Sequence, residues 1–284
     1  MHITHYDWED IIGRQIGLEG TSIVGLMLGD QLHPPMVEAK EIWKSGKRWK
    51  EGAEMCVHRL AAMMQIHAND LILDVGCGIG GPARLLASEY GCRIVGINTS
   101  KKQLKTAIRV TKEKNLEDRV KYVGANAETL PFPVGCFDKV WTMNMFYHIR
   151  DKGLAVNEFY RVLKPNGVLA FDDWTITDTT TKKEIALLKH DWLNQNWITE
   201  NELMLLLKNN HFSIENVSDY SHVGKTVMKK YFGKVFNRDF RKRIEKIDPQ
   251  WGEMIADHFE GAIKRTIEYY KEAKMKYIQL TATK

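Results

Sequence analysis

The stretch Leu71-Ile72-Leu73-Asp74-Val75-Gly76-Cys77-Gly78-Ile79-Gly80-Gly81-Pro82-Ala83-Arg84 decides the reading of this chain. Leu71, Ile72 and Leu73 form a short apolar run with a β-branched centre, which suits a buried strand. Asp74 ends the run, Gly76, Gly78 and Gly80 follow at alternate positions, and a helix-compatible segment starts at Pro82. Glycines between a strand and a helix allow a tight turn and a close approach to a ligand, because no Cβ stands in the way. The spacing is G-x-G-x-G, whereas dinucleotide binding calls for G-x-G-x-x-G with a pyrophosphate on the helix N-terminus. The Asp74 carboxylate would repel a phosphate and attract an ammonium. A ligand carrying an ammonium, a ribose and an adenine fits, and S-adenosylmethionine is of that kind.

Outward from this turn, strands and helices alternate. Cys92–Ile97, Val120–Gly124, Lys139–Met143 and Val168–Trp174 read as strands; Pro82–Tyr90, Lys101–Lys114 and Lys152–Leu163 read as helices. Such alternation with short turns predicts an α/β fold, a doubly wound and mainly parallel sheet covered on both faces. Ligands of such sheets bind at the carboxyl ends of the strands, near the point where the strand order reverses. Asp74, Asn98, Asn126, Asn144 and Asp173 fall at or near those ends.

From about Leu71 to Trp174 the chain resembles the class I S-adenosylmethionine-dependent methyltransferases. L-P-F-P at Leu130–Pro133, F-D at Phe137–Asp138 and R-V-L-K-P-N-G at Arg161–Gly167 follow the family's order. G-G-P-A-R at Gly80–Arg84 and V-G-I-N-T-S-K-K-Q at Val95–Gln103 are similar to the sterol, tocopherol and sarcosine/dimethylglycine group. The resemblance implies a seven-stranded, Rossmann-like sheet whose last strand pairs antiparallel, with S-adenosylmethionine as cofactor and S-adenosylhomocysteine as co-product. It implies that Asp74 meets the methionine amino group, with the Gly76 and Gly78 backbone against the cofactor. Asn98 and Gln103 would serve the ribose, with Thr99 also among the cofactor contacts, Asn126 and Ala127 the adenine, and Asn144 the methionine end. Many relatives carry acids where this chain has Asn98 and Asn126. Asparagine still hydrogen-bonds a hydroxyl or an amine, without the charge-assisted strength of a carboxylate. Both asparagines also suit ordinary turn positions.

One continuous catalytic domain is expected, with an N-terminal helical lid over 1–65, a cofactor-binding core over 66–175, and the rest of the sheet with a helical substrate cap over 176–284. Trp8, Ile11, Ile12 and Ile16 lie at near-helical spacing, and G-D-Q-L-H-P-P at Gly29–Pro35 interrupts that region, bringing His33 into the lid. Beyond the fifth strand, Thr181–Asn194 and Glu200–Asn209 read as helices and Phe212–Val217 as a sixth strand. An insertion from about Gly224 to Lys246 would roof the pocket before a long helix, Trp251–Ala273, and a final strand, Lys276–Thr283. Trp174, Trp192 and Trp197 fall near the expected pocket mouth with His222. They could line an apolar pocket, present π faces to an amine cation, or simply pack the core.

With 284 residues, 44% hydrophobic and 27% charged, the chain is an ordinary globular protein. The net charge of +5 concentrates between Lys229 and Lys246, interleaved with Tyr231, Phe232, Phe236 and Phe240. That pattern reads as an amphipathic roof helix rather than a nucleic-acid surface. The 4 cysteines, Cys56, Cys77, Cys92 and Cys136, form no C-x-x-C pair, against both a zinc site and a disulfide framework, so no metal is expected. No apolar run is long enough to span a membrane, and a cytoplasmic location is expected, with self-association left open.

Methyl transfer from a sulfonium needs alignment above all, and a base only where the nucleophile must lose a proton. His148, four residues after Asn144, is the best-placed base, with Tyr147 beside it; Asp172, Asp173 and His222 are weaker candidates. The expected activity is N- or C-methylation of a small or lipophilic acceptor. An isoprenoid or sterol-like C-methyltransferase is the narrower alternative, and a non-catalytic cofactor-binding or partner-binding protein is the alternative of another class.

Overall fold

A computed structural model describes residues 49–192, 196–227 and 252–284, together with Lys229 and Lys242. Strands β1 (Leu71–Val75), β2 (Arg93–Asn98), β3 (Val120–Gly124), β4 (Phe137–Met143), β5 (Leu163–Ile176), β6 (Ser213–Asp219) and β7 (Met275–Thr283) form one sheet. Their order is β3-β2-β1-β4-β5-β7-β6. β1 to β5 pair in parallel, and β7 runs antiparallel between β5 and β6. The chain steps from β1 out to β3, then returns to β4 on the other side of β1. The strand order therefore reverses beside β1, where a doubly wound sheet leaves its crevice.

Eight helices lie among the described residues: α1 (Trp49–Met64), α2 (Gly81–Tyr90), α3 (Lys101–Glu113), α4 (Lys152–Val162), α5 (Lys182–Asp191), α6 (Glu200–Asn209), α7 (Ser221–Val227) and α8 (Gly252–Lys271). Their starts are encoded locally. The Ser100 hydroxyl accepts the Gln103 amide to cap α3, and the Asp151 carboxylate accepts the Leu154 amide to cap α4. Thr181 with Glu184, and Thr199 with Glu202, form reciprocal capping boxes on α5 and α6.

Side chains alternate across the sheet and build two cores. On one face Ala170, Trp174 and Ile176 of β5 join Trp141, Tyr277 and α1. On the other, Leu169 and Phe171 join Phe146, Phe159 of α4, and Leu203 and Leu207 of α6. Phe159 and Phe171 are fully buried, and truncating either to alanine would cost about 3–5 kcal/mol. Val57, Leu60, Ala61 and Met64 of α1 follow the i, i+3, i+4, i+7 pattern and are buried against the sheet. The last turns of the segment expected as a lid thus build the core itself. Residues 1–48, including Trp8 and His33, lie outside the described residues, as do Asn194 and most of the expected roof between Gly224 and Lys246.

The motifs that carried the resemblance hold this sheet together. Arg161 donates to the Leu130 and Phe132 carbonyls at 3.0 and 2.7 Å and pairs with Glu158, whose carboxylate accepts the Leu130 amide. Asp138 accepts the Leu71 amide at 2.9 Å and the Lys164 ammonium at 2.7 Å, tying β1, β4 and β5 at their starts. β5 begins at Leu163 rather than Val168, because Leu163 already pairs with Phe137 before the Pro165–Gly167 irregularity.

Candidate cofactor and acceptor site

Asp74 stands near the carboxyl end of β1, next to the reversal point, and is only 4% exposed. Burial pushes its carboxyl up to about 7, and its Oδ2 has no hydrogen-bond partner among the described residues. An orphaned buried carboxylate is costly unless a cation or donor completes it. The turn that follows folds back onto β2, with the Gly76 and Cys77 amides both donating to the Ile97 carbonyl at 2.9 and 3.0 Å. Gly76, Gly78 and Gly80 all have positive φ, 73°, 56° and 77°. Side chains at Gly76 and Gly80 would overlap Met145 and Tyr122, whereas a Cβ on Gly78 would meet nothing within 4 Å. Two glycines therefore permit close packing, and the middle one faces open space. The buried Arg84 of α2 braces the turn, donating to the Ile79 carbonyl at 2.6 Å and reaching Thr111, which also bonds Tyr122.

At the end of β2, the Asn98 carbonyl oxygen Oδ1 accepts the Ser100 amide at 3.0 Å, and its Nδ2 donates to Gln103 Oε1 at 2.6 Å. Asn98 thus shapes the β2–α3 turn and fixes the orientation of Gln103. The neighbouring Thr99 is exposed. Asn126 is exposed and accepts the Glu128 amide at 3.1 Å, an Asx turn, while Ala127 is buried. Both asparagines serve as turn formers, and both stay on the rim that the strand ends define.

Asn144 follows β4 with φ of 49° and is buried. Its amide donates to the Asp172 carbonyl at 2.7 Å, and its Nδ2 donates to the Tyr277 hydroxyl at 2.8 Å. Asp172 is fully buried and also accepts from Tyr277 and from Gln279, which in turn accepts from Arg59 of α1 at 2.7 Å. Asp173 points to the opposite face. One of its oxygens accepts the Met145 and Phe146 amides at 3.0 and 2.6 Å, and the other accepts the Trp174 amide at 2.7 Å. Burial pushes both aspartates up to about 7. Because their oxygens are taken by internal donors, neither reaches out as a base; both act on the loop after β4.

That loop makes one 3₁₀ turn, Phe146–His148. Tyr147 is half-buried, stacks on Trp197 with ring centroids 5.5 Å apart and planes at 19°, and lies 5.5 Å from Trp174. Trp192 meets Trp174 at 5.2 Å and donates to Thr266 at 3.1 Å. The fold thus gathers Tyr147, Trp174, Trp192 and Trp197 into one wall, with His148 exposed at its edge, its ring 4.0 Å from that of Tyr147. Burial, then the nearby Asp173, push the Tyr147 phenol above its ordinary range, so it stays protonated at neutral pH. His222 is exposed at the start of α7, beside the Ser221 that accepts the Tyr277 amide. No cluster of metal-ligating side chains occurs among the described residues.

Sequence reading missed the structural use of Asp172, Asp173, Tyr277, Gln279 and Arg84. Adjacent acids in the apolar run Val168–Trp174 were the available signal, since buried carboxylates need several donors.

Comparison with known proteins agrees with this geometry. Residues 73–171 match the family described as a methyltransferase domain. A sterol 24-C-methyltransferase of Eremothecium gossypii is 40% identical over 121 residues, covering 43% of this chain and 32% of the relative. Among solved structures, the cyclase SpnF superposes with a TM-score of 0.69 at 25% identity, covering 83% of this chain and 82% of its own. Geranyl diphosphate C-methyltransferase from Streptomyces coelicolor gives 0.71 at 16% identity, covering 97% and 98%. The curated relatives are matched over 24% to 50% of their own length. The class that this chain resembles is thereby defined: residues 73–171 are similar to a methyltransferase domain. They sit within a Rossmann-like sheet that extends beyond the matched segment to β7.

Proposed function

We propose that the chain transfers the methyl group of S-adenosylmethionine to a small or lipophilic acceptor by in-line displacement, as an N- or C-methyltransferase that releases S-adenosylhomocysteine. The observation that carries this reading is the buried, unpartnered Asp74 Oδ2 on β1, at the point of strand reversal, followed in the next turn by Gly78, whose missing Cβ faces open space. The bound cofactor would supply an electrophilic methyl on a cationic sulfur. Asp74 would hold its ammonium, the Gly76–Gly78 backbone its methionine and ribose, Asn98 and Gln103 the ribose hydroxyls with Thr99 beside them, and Asn126 and Ala127 the adenine. Asn144 would lie at the methionine end and Tyr147, Trp174, Trp192 and Trp197 would line the acceptor side, excluding water. Where the acceptor must shed a proton, His148 at the edge of that wall would take it.

The aromatic wall supports a lipophilic acceptor, including an isoprenoid-like one, and equally an amine held against π faces. His33 and His222 remain proposed contributors to the acceptor side. The partner is a small molecule rather than a nucleic acid. No helix among the described residues is long and apolar enough to cross a membrane; the cytoplasm is the location proposed.

The likeness to a cyclase shows that this fold carries chemistry other than methyl transfer, so activity needs a direct test. Titration calorimetry with S-adenosylmethionine, followed by a screen of amines, phenols and prenyl compounds with methyl-labelled cofactor, provides it. Micromolar-range binding and label in an acceptor are expected. Absence of cofactor binding refutes the reading, and binding without label transfer to any acceptor favours a non-catalytic role.

A further inference from the structure

The turn Phe146–His148 carries the two side chains best placed to face an acceptor, yet it is a single turn of weak intrinsic stability. Its N-terminal end is held by Asp173, one oxygen of which accepts both the Met145 and Phe146 amides. Its C-terminal end is held by Lys152, the first residue of α4, whose ammonium donates to the Ile149 carbonyl at 2.9 Å. Asp173 is 3% exposed and Lys152 7%, and Lys152 also lies 5.2 Å from the Phe146 ring, where an ammonium is attracted to the π face. Asp173 at the start of the turn and Lys152 at its end are arranged to match the turn's dipole when ionised; burial pushes each towards its neutral form, and the attraction between the two opposes that push. Such charges are expensive to bury for stability alone, which apolar side chains of similar volume would serve as well. The product of this expense is a fixed orientation for Tyr147 and His148.

We propose that Asp173 and Lys152 form a buried two-ended ion clamp that positions the Tyr147–His148 turn for the reaction. Neither residue touches the acceptor; both act through the backbone of residues 145–149. This inference rests on the methyl-transfer reading, because it assigns the turn a role in that chemistry.

The test uses Asp173→Asn and Lys152→Met in the full chain. Asparagine keeps the shape of Asp173 but cannot offer acceptors to all three amides, and methionine keeps the length of Lys152 without the ammonium. Turnover should fall roughly ten- to a hundredfold in Asp173→Asn, and by less in Lys152→Met, as expected for misplacing a reacting group by a fraction of an ångström. The cofactor's binding constant should change by less than turnover does, because Asp74 and the bonds of the glycine turn to Ile97 are untouched and only Met145, packed on Gly76, is loosened. Hydrogen exchange of the Phe146 amide should quicken in both variants, while exchange in β1 and β2 stays unchanged. Turnover kept within about threefold in both variants, or unaltered Phe146 exchange, overturns the clamp. If Asp173→Asn does not fold, Lys152→Met decides; failure of both to fold makes the pair merely structural and also overturns the proposal. A wild type that transfers no methyl group defeats the functional reading instead, and the exchange measurement still judges the clamp by itself.

Discussion

Arg84 donates from its buried guanidinium to the Ile79 carbonyl at 2.6 Å, so the first helix of the cofactor core braces the turn that precedes it. The bond closes a loop of few residues around Gly80, whose φ of 77° no bulky side chain adopts comfortably. Replacing Arg84 with methionine leaves a buried carbonyl unpaired, at a cost of about 1–3 kcal/mol. The variant should melt several degrees lower and bind S-adenosylhomocysteine about tenfold more weakly. Thermal denaturation and calorimetry read the two effects; unchanged affinity would separate the brace from the site.

Gly76 and Gly78 should respond differently to alanine. At Gly76 the new methyl overlaps Met145 as well as straining a positive φ, so folding itself should suffer. At Gly78 the methyl enters open space, so only the strain of roughly 1–2 kcal/mol applies. Gly78→Ala should therefore remain folded while losing most cofactor affinity, because the methyl occupies the ligand's place. Circular dichroism together with calorimetry checks the pair, and undiminished binding by Gly78→Ala would remove the cofactor from that face.

The burial of Asp74 predicts opposite pH responses for stability and for binding. Its carboxyl rises from 3.8 to about 7 in the folded chain, as do those of Asp172 and Asp173. The folded state therefore holds protons more tightly than the unfolded chain, so this contribution is complete below about pH 4 and is lost as pH rises through about 7. An ammonium needs the ionised carboxylate, so cofactor binding should tighten between pH 6 and 8 and release a proton. Calorimetry in buffers of different ionisation enthalpy measures that release. Asp74→Asn should abolish it and weaken binding strongly; proton release that persists in the variant would place the titrating group elsewhere.

His148 is exposed at the edge of the aromatic wall, its ring against that of Tyr147. If it collects the acceptor's proton, His148→Ala should lower turnover by about two to four powers of ten and change cofactor affinity little. The acidic limb of the pH–rate profile should vanish with it. Turnover within a few-fold of wild type and an unchanged limb would show that alignment alone suffices.

Much of the fold was legible because its determinants are local. Apolar runs bounded by glycine and asparagine marked the strands, and the helices at Thr181 and Glu200 start where T-x-x-E sequences form capping boxes, since caps and turns are satisfied within a few residues. The glycine turn announced a ligand by the same logic, because φ and the absence of a Cβ are properties of single residues. What the residues at the strand ends do was less legible. Asn98 and Asn126 could be read either as cofactor contacts or as turn residues, and the turn hydrogen bonds they make are ones that any short loop uses.

The sequence by itself determined the alternating elements, the parallel pairing of β1 to β5, and the place of the crevice, all of which follow from periodicity and turn chemistry. Only the tertiary structure decided what the buried charges do. Asp172 and Asp173 are neighbours in sequence, but the pleat sends one toward Tyr277, Gln279 and α1, and the other toward the turn after β4. Tyr277 and Gln279 lie more than a hundred residues from Asp172 and reach it because β7 inserts antiparallel beside β5. A carboxylate buried away from water must find its donors wherever the fold brings them, and that choice is written in strand order rather than in any local run of residues.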